Sequence, residues 1–210
     1  MKPLVIFGAG DIARLAYWYF SHDTNMKVVA FCVDRGYLQE ETFLSLPLVA
    51  FDEILQKYPP DSFDMFVAMS YAENNRNREK AYLRARECGY TLVSYVSSKC
   101  TYLSDDPPGD NCFILENNTI QPFTKIGNNV TMWSGNHLGH DSIIDDHVFI
   151  ASHVVISGHV HIGRNCFLGV NATTRNGITI APYSIIGASA LIMRSTKEGQ
   201  VYIGERTKPI

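Results

Sequence analysis

The sequence has no stretch of 18 apolar residues and no leader-like segment at its start, so we expect neither a membrane span nor export. It has no excess of positive charge. With 18 Lys and Arg against 21 Asp and Glu, the net charge of -3 argues against a nucleic-acid partner. It also lacks a C-x-x-C pair, and its five scattered cysteines suit neither a disulfide framework nor a zinc ribbon. A reducing cytoplasm is the expected location.

The 210 residues are 46% hydrophobic and 19% charged, which is typical of a globular protein with one or two domains. The first half alternates apolar runs with helical runs, the order that builds a parallel sheet with crossover helices. The predicted strands are Pro3–Phe7, Lys27–Val33, Phe63–Met69 and a short Thr91–Val96; the predicted helices are Ile12–Phe20 and Asn75–Cys88, the second closed by Gly89.

From Ile114 onward an aliphatic residue recurs at every sixth position, and only Thr174 departs from this register. A period of six predicts a parallel β-helix in which three hexads form one triangular coil. Residues 18 apart should therefore stack at about the 4.8 Å spacing of neighbouring strands. The third position after each aliphatic is rich in Asn and Gly, which tolerate the left-handed backbone of sharp corners. We place the boundary at Pro107-Pro108-Gly109, giving domains 1–106 and 107–210.

A short Rossmann-like domain followed by hexapeptide repeats resembles the NeuD/PglD family of sugar acyltransferases. The resemblance rests on four segments: Ile6-Phe7-Gly8-Ala9-Gly10, Gly139-His140-Asp141, the run from Ile162 to Asn171, and Val201-Tyr202-Ile203-Gly204. It implies a left-handed β-helix, a homotrimer, acetyl-CoA as co-substrate and a nucleotide-linked sugar as acceptor.

Acetyl transfer needs a base for the nucleophile's proton, and histidine suits that role. The resemblance makes His140 the base, Asp141 the neighbour that orients it, and Gly158, one coil on, a CoA contact. Several relatives carry Glu where this chain has Asp141. A merely structural corner is the alternative for His140.

Stacking also brings Asp141 to His159, 18 residues later, where a structural pairing is favoured. His137 lies near the same corner and is a candidate contact for the acceptor. No two histidines are 18 apart, so we predict no metal site within one chain.

In such enzymes CoA lies along a groove between subunits, beside small corner residues. Gly158, Val170 and Ala188 occupy matching hexad positions and are candidate CoA contacts. Lys208 and Arg206, in the tail, are candidate partners for the CoA phosphates, with solvated tail charges as the alternative.

The turn from Gly8 to Ala13 follows a strand and opens a helix, the context of a dinucleotide fingerprint. Backbone amides at Gly8 and Gly10 are candidates to hold the phosphates of a nucleotide-sugar. Asp34 ends the second strand, where an acid commonly meets a ribose hydroxyl. Arg35 is a further candidate, as are Asn75 and Arg78 more weakly, and a tight turn that binds nothing is the alternative.

These observations favour an acetyl-CoA-dependent N-acetyltransferase that acts on the amino group of a nucleotide-linked deoxyamino sugar for bacterial surface glycans such as lipopolysaccharide O-antigen. His140 would deprotonate the amine as the amine attacks the thioester directly. A covalent route through Cys166 is disfavoured, because Cys166 lies in a column of small, inward-facing residues. The alternatives are an O-acetyltransferase of a sialic-acid-type sugar and a non-catalytic trimer that binds nucleotide-sugars.

Overall fold

The computed structural model describes residues 2–204, which form two compact units. The first comprises the chain up to Ser94 apart from Glu73–Arg76, and the second comprises Glu73–Arg76 and the chain from Tyr95 onward. The division thus falls before the predicted boundary at 106/107. The reason is that the strands at Tyr95 and Thr101 already pair with strands of the repeat, 18 residues on, and so belong to its first coil.

The first unit contains a five-stranded sheet in the order β3-β4-β2-β1-β5. All neighbours are parallel except the β3–β4 hairpin. Its strands are β1 (Leu4–Phe7), β2 (Val28–Val33), β3 (Thr42–Phe43), β4 (Leu46–Ala50) and β5 (Asp64–Val67), and its helices are α1 (Asp11–Asp23), α2 (Ile54–Lys57) and α3 (Arg76–Glu87), with 3₁₀ turns at Arg35–Tyr37 and Phe51–Glu53. This is the predicted α/β class.

The sequence pattern explains the central elements of this unit. Every residue of β1 is buried, as expected of an apolar strand covered on both faces of a parallel sheet. Helix α1 buries Ala13, Ala16 and Phe20, which recur at intervals of three and four on one face. Helix α3 is followed by Gly89 at φ 85°, whose N–H donates to the Arg86 carbonyl, as its predicted capping role requires.

The hairpin of β3 and β4 was not predicted. Its turn uses Leu44 and Ser45 at φ 50° and 64°, without the Gly or Asn that normally marks such a turn in a sequence.

The second unit is a parallel β-helix of two-residue strands. Three sheets form its three sides: face I (β6, β8, β11, β14, β17, β20, β22), face II (β7, β9, β12, β15, β18, β21) and face III (β10, β13, β16, β19). The strands are β6 (Tyr95–Val96), β7 (Thr101–Tyr102), β8 (Phe113–Ile114), β9 (Thr119–Ile120), β10 (Lys125–Ile126), β11 (Thr131–Met132), β12 (His137–Leu138), β13 (Ile143–Ile144), β14 (Phe149–Ile150), β15 (Val155–Ile156), β16 (His161–Ile162), β17 (Phe167–Leu168), β18 (Thr173–Thr174), β19 (Thr179–Ile180), β20 (Ile185–Ile186), β21 (Leu191–Ile192) and β22 (Val201–Tyr202).

The predicted register of 18 holds throughout the repeat, for example between Leu138 and Ile156. The hexad aliphatic residues point inward and form one continuous core. Thr174 keeps the register and is also buried, and its hydroxyl accepts a hydrogen bond from the Ser157 N–H at 3.2 Å. A polar residue fits this column because its hydroxyl meets the backbone of the neighbouring coil.

The predicted corner positions adopt the left-handed backbone. Third after each aliphatic, Asn117, Asn129, Asn165 and Asn171 have φ between 55° and 59°. The same conformation occurs at bulkier residues of that column, including Phe123, Asp141 and His159. Asp, like Asn, tolerates this conformation, whereas Phe123 and His159 adopt it at a greater steric cost.

Candidate active site

The candidate site lies at the corner between faces II and III. The chain leaves β12 after Leu138, turns through Gly139, His140, Asp141 and Ser142, and enters β13 at Ile143. The next coil repeats the turn directly alongside, and its His159 N–H donates to the His140 carbonyl at 2.9 Å. The rigid coils therefore fix the backbone from which the polar side chains project.

His140 and Asp141 form a hydrogen-bonded pair. The distance from His140 Nδ1 to Asp141 Oδ2 is 2.7 Å, and about half of each side chain is exposed. Because a carboxylate only accepts hydrogen bonds, the proton resides on Nδ1 and the lone pair of Nε2 is free to accept another. The His140 N–H donates to Gln121 Oε1 at 2.9 Å, a backbone support from the preceding coil that the sequence analysis missed.

Gly158 makes room for the imidazole. A Cβ atom built on Gly158 would lie 2.7 Å from His140 Nε2 and 2.9 Å from its Cε1, closer than van der Waals contact permits. The ring therefore lies over the bare backbone of the next coil. This is the arrangement that the spacing of 18 predicts.

His159 approaches the same carboxylate from the next coil. Its Nε2 lies 3.9 Å from Asp141 Oδ2, and its ring is perpendicular to that of His140 with the centroids 4.9 Å apart. The predicted stacking of Asp141 and His159 is present as a looser contact than the 2.7 Å pair beside it.

The three predicted CoA contacts within the coils do not lie at one corner. Gly158 is at the corner between faces II and III, whereas Val170 and Ala188 follow β17 and β20 at the corner between faces I and II. Positions 12 apart are equivalent in the hexad but lie on different corners of a three-sided coil. Lys208 and Arg206 lie outside the described residues.

His137 and Cys166 also lie in the β-helix, away from this corner. His137 is half-buried on β12, in register with Thr119 and Val155, so it lies on face II before the corner begins. Cys166 is fully buried and its thiol contacts the Ala181 carbonyl at 3.1 Å. Burial raises the pKa of this thiol to about 12, which keeps it protonated and inert.

The turn after β1 has the geometry of a tight strand-to-helix connection. Gly8 has φ 137°, and a Cβ there would lie 2.4 Å from the Ala68 carbonyl oxygen, so the position requires glycine. Gly10 precedes α1 and has open space where a side chain would be. Asp11 occupies the first turn of α1 and pairs with Arg14 at 3.2 Å, which places a carboxylate near the amides proposed for phosphate.

Both charged candidates at the end of β2 already have partners. Asp34 accepts from Arg84 Nη1 at 2.7 Å, and this guanidinium also lies 4.6 Å from the Phe51 ring centroid. Arg35 bonds Asp52 at 2.7 Å and Glu53 at 2.6 Å. These partners came from other elements, so the sequence analysis missed them. Arg84 therefore places a cation next to Asp34, whereas the carboxylates of Asp52 and Glu53 offset the positive charge of Arg35.

Asn75 and Arg78 are both buried and do not present a free surface to a nucleotide. Asn75 has φ 66°, and its side-chain amide donates to the Cys166 carbonyl at 3.1 Å. It thus attaches Glu73–Arg76 to the β-helix, which is a structural role.

Fold and site together define a hexapeptide-repeat β-helix protein with a Rossmann-like unit and an exposed His–Asp pair. Residues 123–158 match the family described as bacterial transferase hexapeptide (six repeats). Among the described residues, no helix has the length and apolar character needed to cross a membrane.

Several solved structures share this architecture along nearly the whole chain. The acetyltransferase domain of PglB from Neisseria gonorrhoeae is 21% identical with a TM-score of 0.86, covering 100% of both chains. PerB from Caulobacter crescentus, solved with CoA and GDP-perosamine, is 23% identical with a TM-score of 0.85, covering 97% of this chain and 95% of PerB. WeeI from Acinetobacter baumannii is 19% identical with a TM-score of 0.83, covering 97% of each chain. The resemblance to the NeuD/PglD type and the predicted left-handed β-helix are confirmed at the level of the fold.

Proposed function

We propose that this protein is an acetyl-CoA-dependent N-acetyltransferase acting on the amino group of a nucleotide-linked deoxyamino sugar. The observation that carries the proposal is the exposed His140–Asp141 pair, with its free nitrogen held over the backbone of Gly158. The solved PerB complex supports the class of substrates, since it contains CoA and GDP-perosamine.

The proposed chemistry uses the tautomer that Asp141 imposes. His140 Nε2 accepts a proton from the sugar amine as the amine nitrogen attacks the thioester carbon of acetyl-CoA. The tetrahedral intermediate then collapses, the C–S bond breaks, and the CoA thiolate takes up the proton held by His140. Asp141 stabilises the imidazolium during this transfer. Attack is direct, because the inert thiol of Cys166 is not available for an acyl-enzyme.

We place CoA beside the His140 corner, and the corner geometry supports this part of the proposal. Gly158 has no side chain, so a co-substrate that reaches the exposed imidazole of His140 also comes close to the main chain of the next coil. Val170 and Ala188 lie at a different corner, so they join the same groove only if a second copy of the chain supplies them. We therefore retain the homotrimer in the proposal, with each CoA site shared by two subunits.

The nucleotide is assigned to the first unit. The turn offers the backbone amide of Gly10, whereas the predicted Gly8 N–H already donates to the Cys32 carbonyl at 2.8 Å. Asp34 and its partner Arg84 add a carboxylate and a cation at the end of β2. Arg35 is a weaker candidate than expected, because Asp52 and Glu53 already engage its guanidinium. His137 remains a candidate contact for the sugar, and the cytoplasm the proposed location.

The test compares His140→Ala with His161→Ala. His161 is a matched control because its Nε2 lies 2.9 Å from Asp145 Oδ1 at similar exposure, on face III rather than at the corner. After a screen of nucleotide-linked amino sugars, we expect His140→Ala to lower kcat by roughly 10²–10⁴ and to retain nucleotide-sugar binding. Asp141→Asn should cost less.

Three results would contradict the proposal. His140→Ala with most of its kcat would place the base elsewhere, an ester product would indicate O-acetyl transfer, and binding without turnover in the unaltered protein would indicate a non-catalytic trimer.

A further inference from the structure

The corner that holds the proposed base also gathers three potential metal ligands. One nitrogen each from His140 and His159 and one oxygen from Asp141 all lie within 4.8 Å of one another, and all three residues are exposed. Residues 140 and 159 are 19 apart, so the absence of two histidines 18 apart, on which we predicted no metal site within one chain, does not exclude this cluster.

The cluster's dimensions are close to those of a zinc site. In a tetrahedral site with Zn–N and Zn–O bonds of about 2.0–2.1 Å, neighbouring ligand atoms lie about 3.3 Å apart. Here the His140–Asp141 contact is 2.7 Å and the His159–Asp141 contact is 3.9 Å, so one distance must widen and the other shorten by roughly half an ångström. The side chains are about half exposed and can make such movements while the coils hold their backbones.

We propose that His140, Asp141 and His159 bind one Zn²⁺ ion, and that zinc at this cluster inhibits acetyl transfer. Two His nitrogens and one carboxylate oxygen form a ligand set that zinc favours, and solvent exposure leaves the fourth position to water. Zinc bound through His140 Nδ1 would replace the proton on that nitrogen and leave the ring proton on Nε2, so Nε2 could no longer accept a proton from the amine. The divalent charge would also oppose formation of an imidazolium. Inhibition rests on the proposed function, whereas binding does not.

His159 distinguishes this proposal from the chemistry proposed above, because it is a ligand without a part in the proton transfer. Its backbone has φ 56°, a conformation that Asn adopts at equivalent corners such as Asn165 and Asn171. His159→Asn should therefore fold normally while removing the imidazole. His153→Asn is the matched control, since His153 has φ 59°, is exposed and lies at a different corner.

The binding experiment titrates ZnCl₂ into the full-length protein, previously stripped with a chelator, and follows the heat of binding. We expect one strong site per chain in the unaltered protein and in His153→Asn, and affinity at least roughly tenfold weaker in His159→Asn. Lowering the pH should weaken binding, because zinc requires neutral imidazoles. Unfolding temperatures measured without metal identify any variant that has lost its fold, and His159→Gln then replaces it.

The inhibition experiment measures acetyl transfer against zinc concentration, each variant relative to its own zinc-free rate. We expect the concentration for half inhibition to rise at least tenfold in His159→Asn and to stay unchanged in His153→Asn. Equal zinc affinity in His159→Asn and the unaltered protein, or equal loss in both variants, would overturn the site. Zinc binding without any acetyl transfer would leave the site intact and refute the proposed function instead.

Discussion

Gly158→Ala gives a sharp test of how the β-helix positions the proposed base, His140. The added methyl group would lie 2.7 Å from His140 Nε2, and ordinary contact begins near 3.4 Å, so the ring must retreat by roughly 0.7 Å. The side chain is 52% exposed and can swing into solvent, so the free energy of unfolding should change by less than about 1 kcal/mol. A displacement near 1 Å costs a reaction up to about 10²-fold, and we expect kcat to fall roughly 10–100-fold.

The assay follows release of the CoA thiol at saturating nucleotide-sugar, in the unaltered protein, Gly158→Ala, His140→Ala and the double variant. If the methyl acts by displacing the imidazole, Gly158→Ala should have almost no effect in the His140→Ala background, because the group that it displaces is already gone. An equal fold-loss in both backgrounds, or a rise confined to the KM for acetyl-CoA, would refute this reasoning and show that the methyl obstructs the co-substrate instead.

Two further predictions concern packing rather than catalysis. Gly8→Ala should lower the free energy of unfolding in urea by about 3 kcal/mol, because a Cβ there would lie 2.4 Å from the Ala68 carbonyl oxygen. Gly10→Ala, where a side chain would have open space, should change the free energy of unfolding by less than about 1 kcal/mol. Equal effects of the two variants would contradict the strain argument. Burial raises the pKa of the Cys166 thiol from 9.0 to about 12, so its contribution to stability is complete below pH 9 and is lost as the pH rises toward 12. Iodoacetamide at pH 8 should label Cys166 only in urea, and labelling of the native protein, read by mass spectrometry, would contradict its burial.

The sequence alone predicts the repeating part of this protein, because each hexad repeats the same pattern of residue types. An inward aliphatic such as Ile156 and a left-handed corner three residues later recur with a fixed period, so register and stacking follow from counting. The position of His140 over Gly158 is a direct product of this arithmetic. Elements without such a repeated signal, such as the hairpin turn at Leu44 and Ser45, were missed.

Tertiary structure decided what the side chains do at each position. The stacking rule places backbones, but long side chains reach diagonally across coils, which is how His159 comes close to His140 at a separation of 19. In the first unit, the pairing of Arg84 with Asp34 joins a helix to the end of a strand 50 positions earlier. No local pattern encodes that contact, because it depends on how the helix packs on the sheet. The sequence therefore determined the scaffold and the candidate base, and the folded chain determined which charged groups remain available around it.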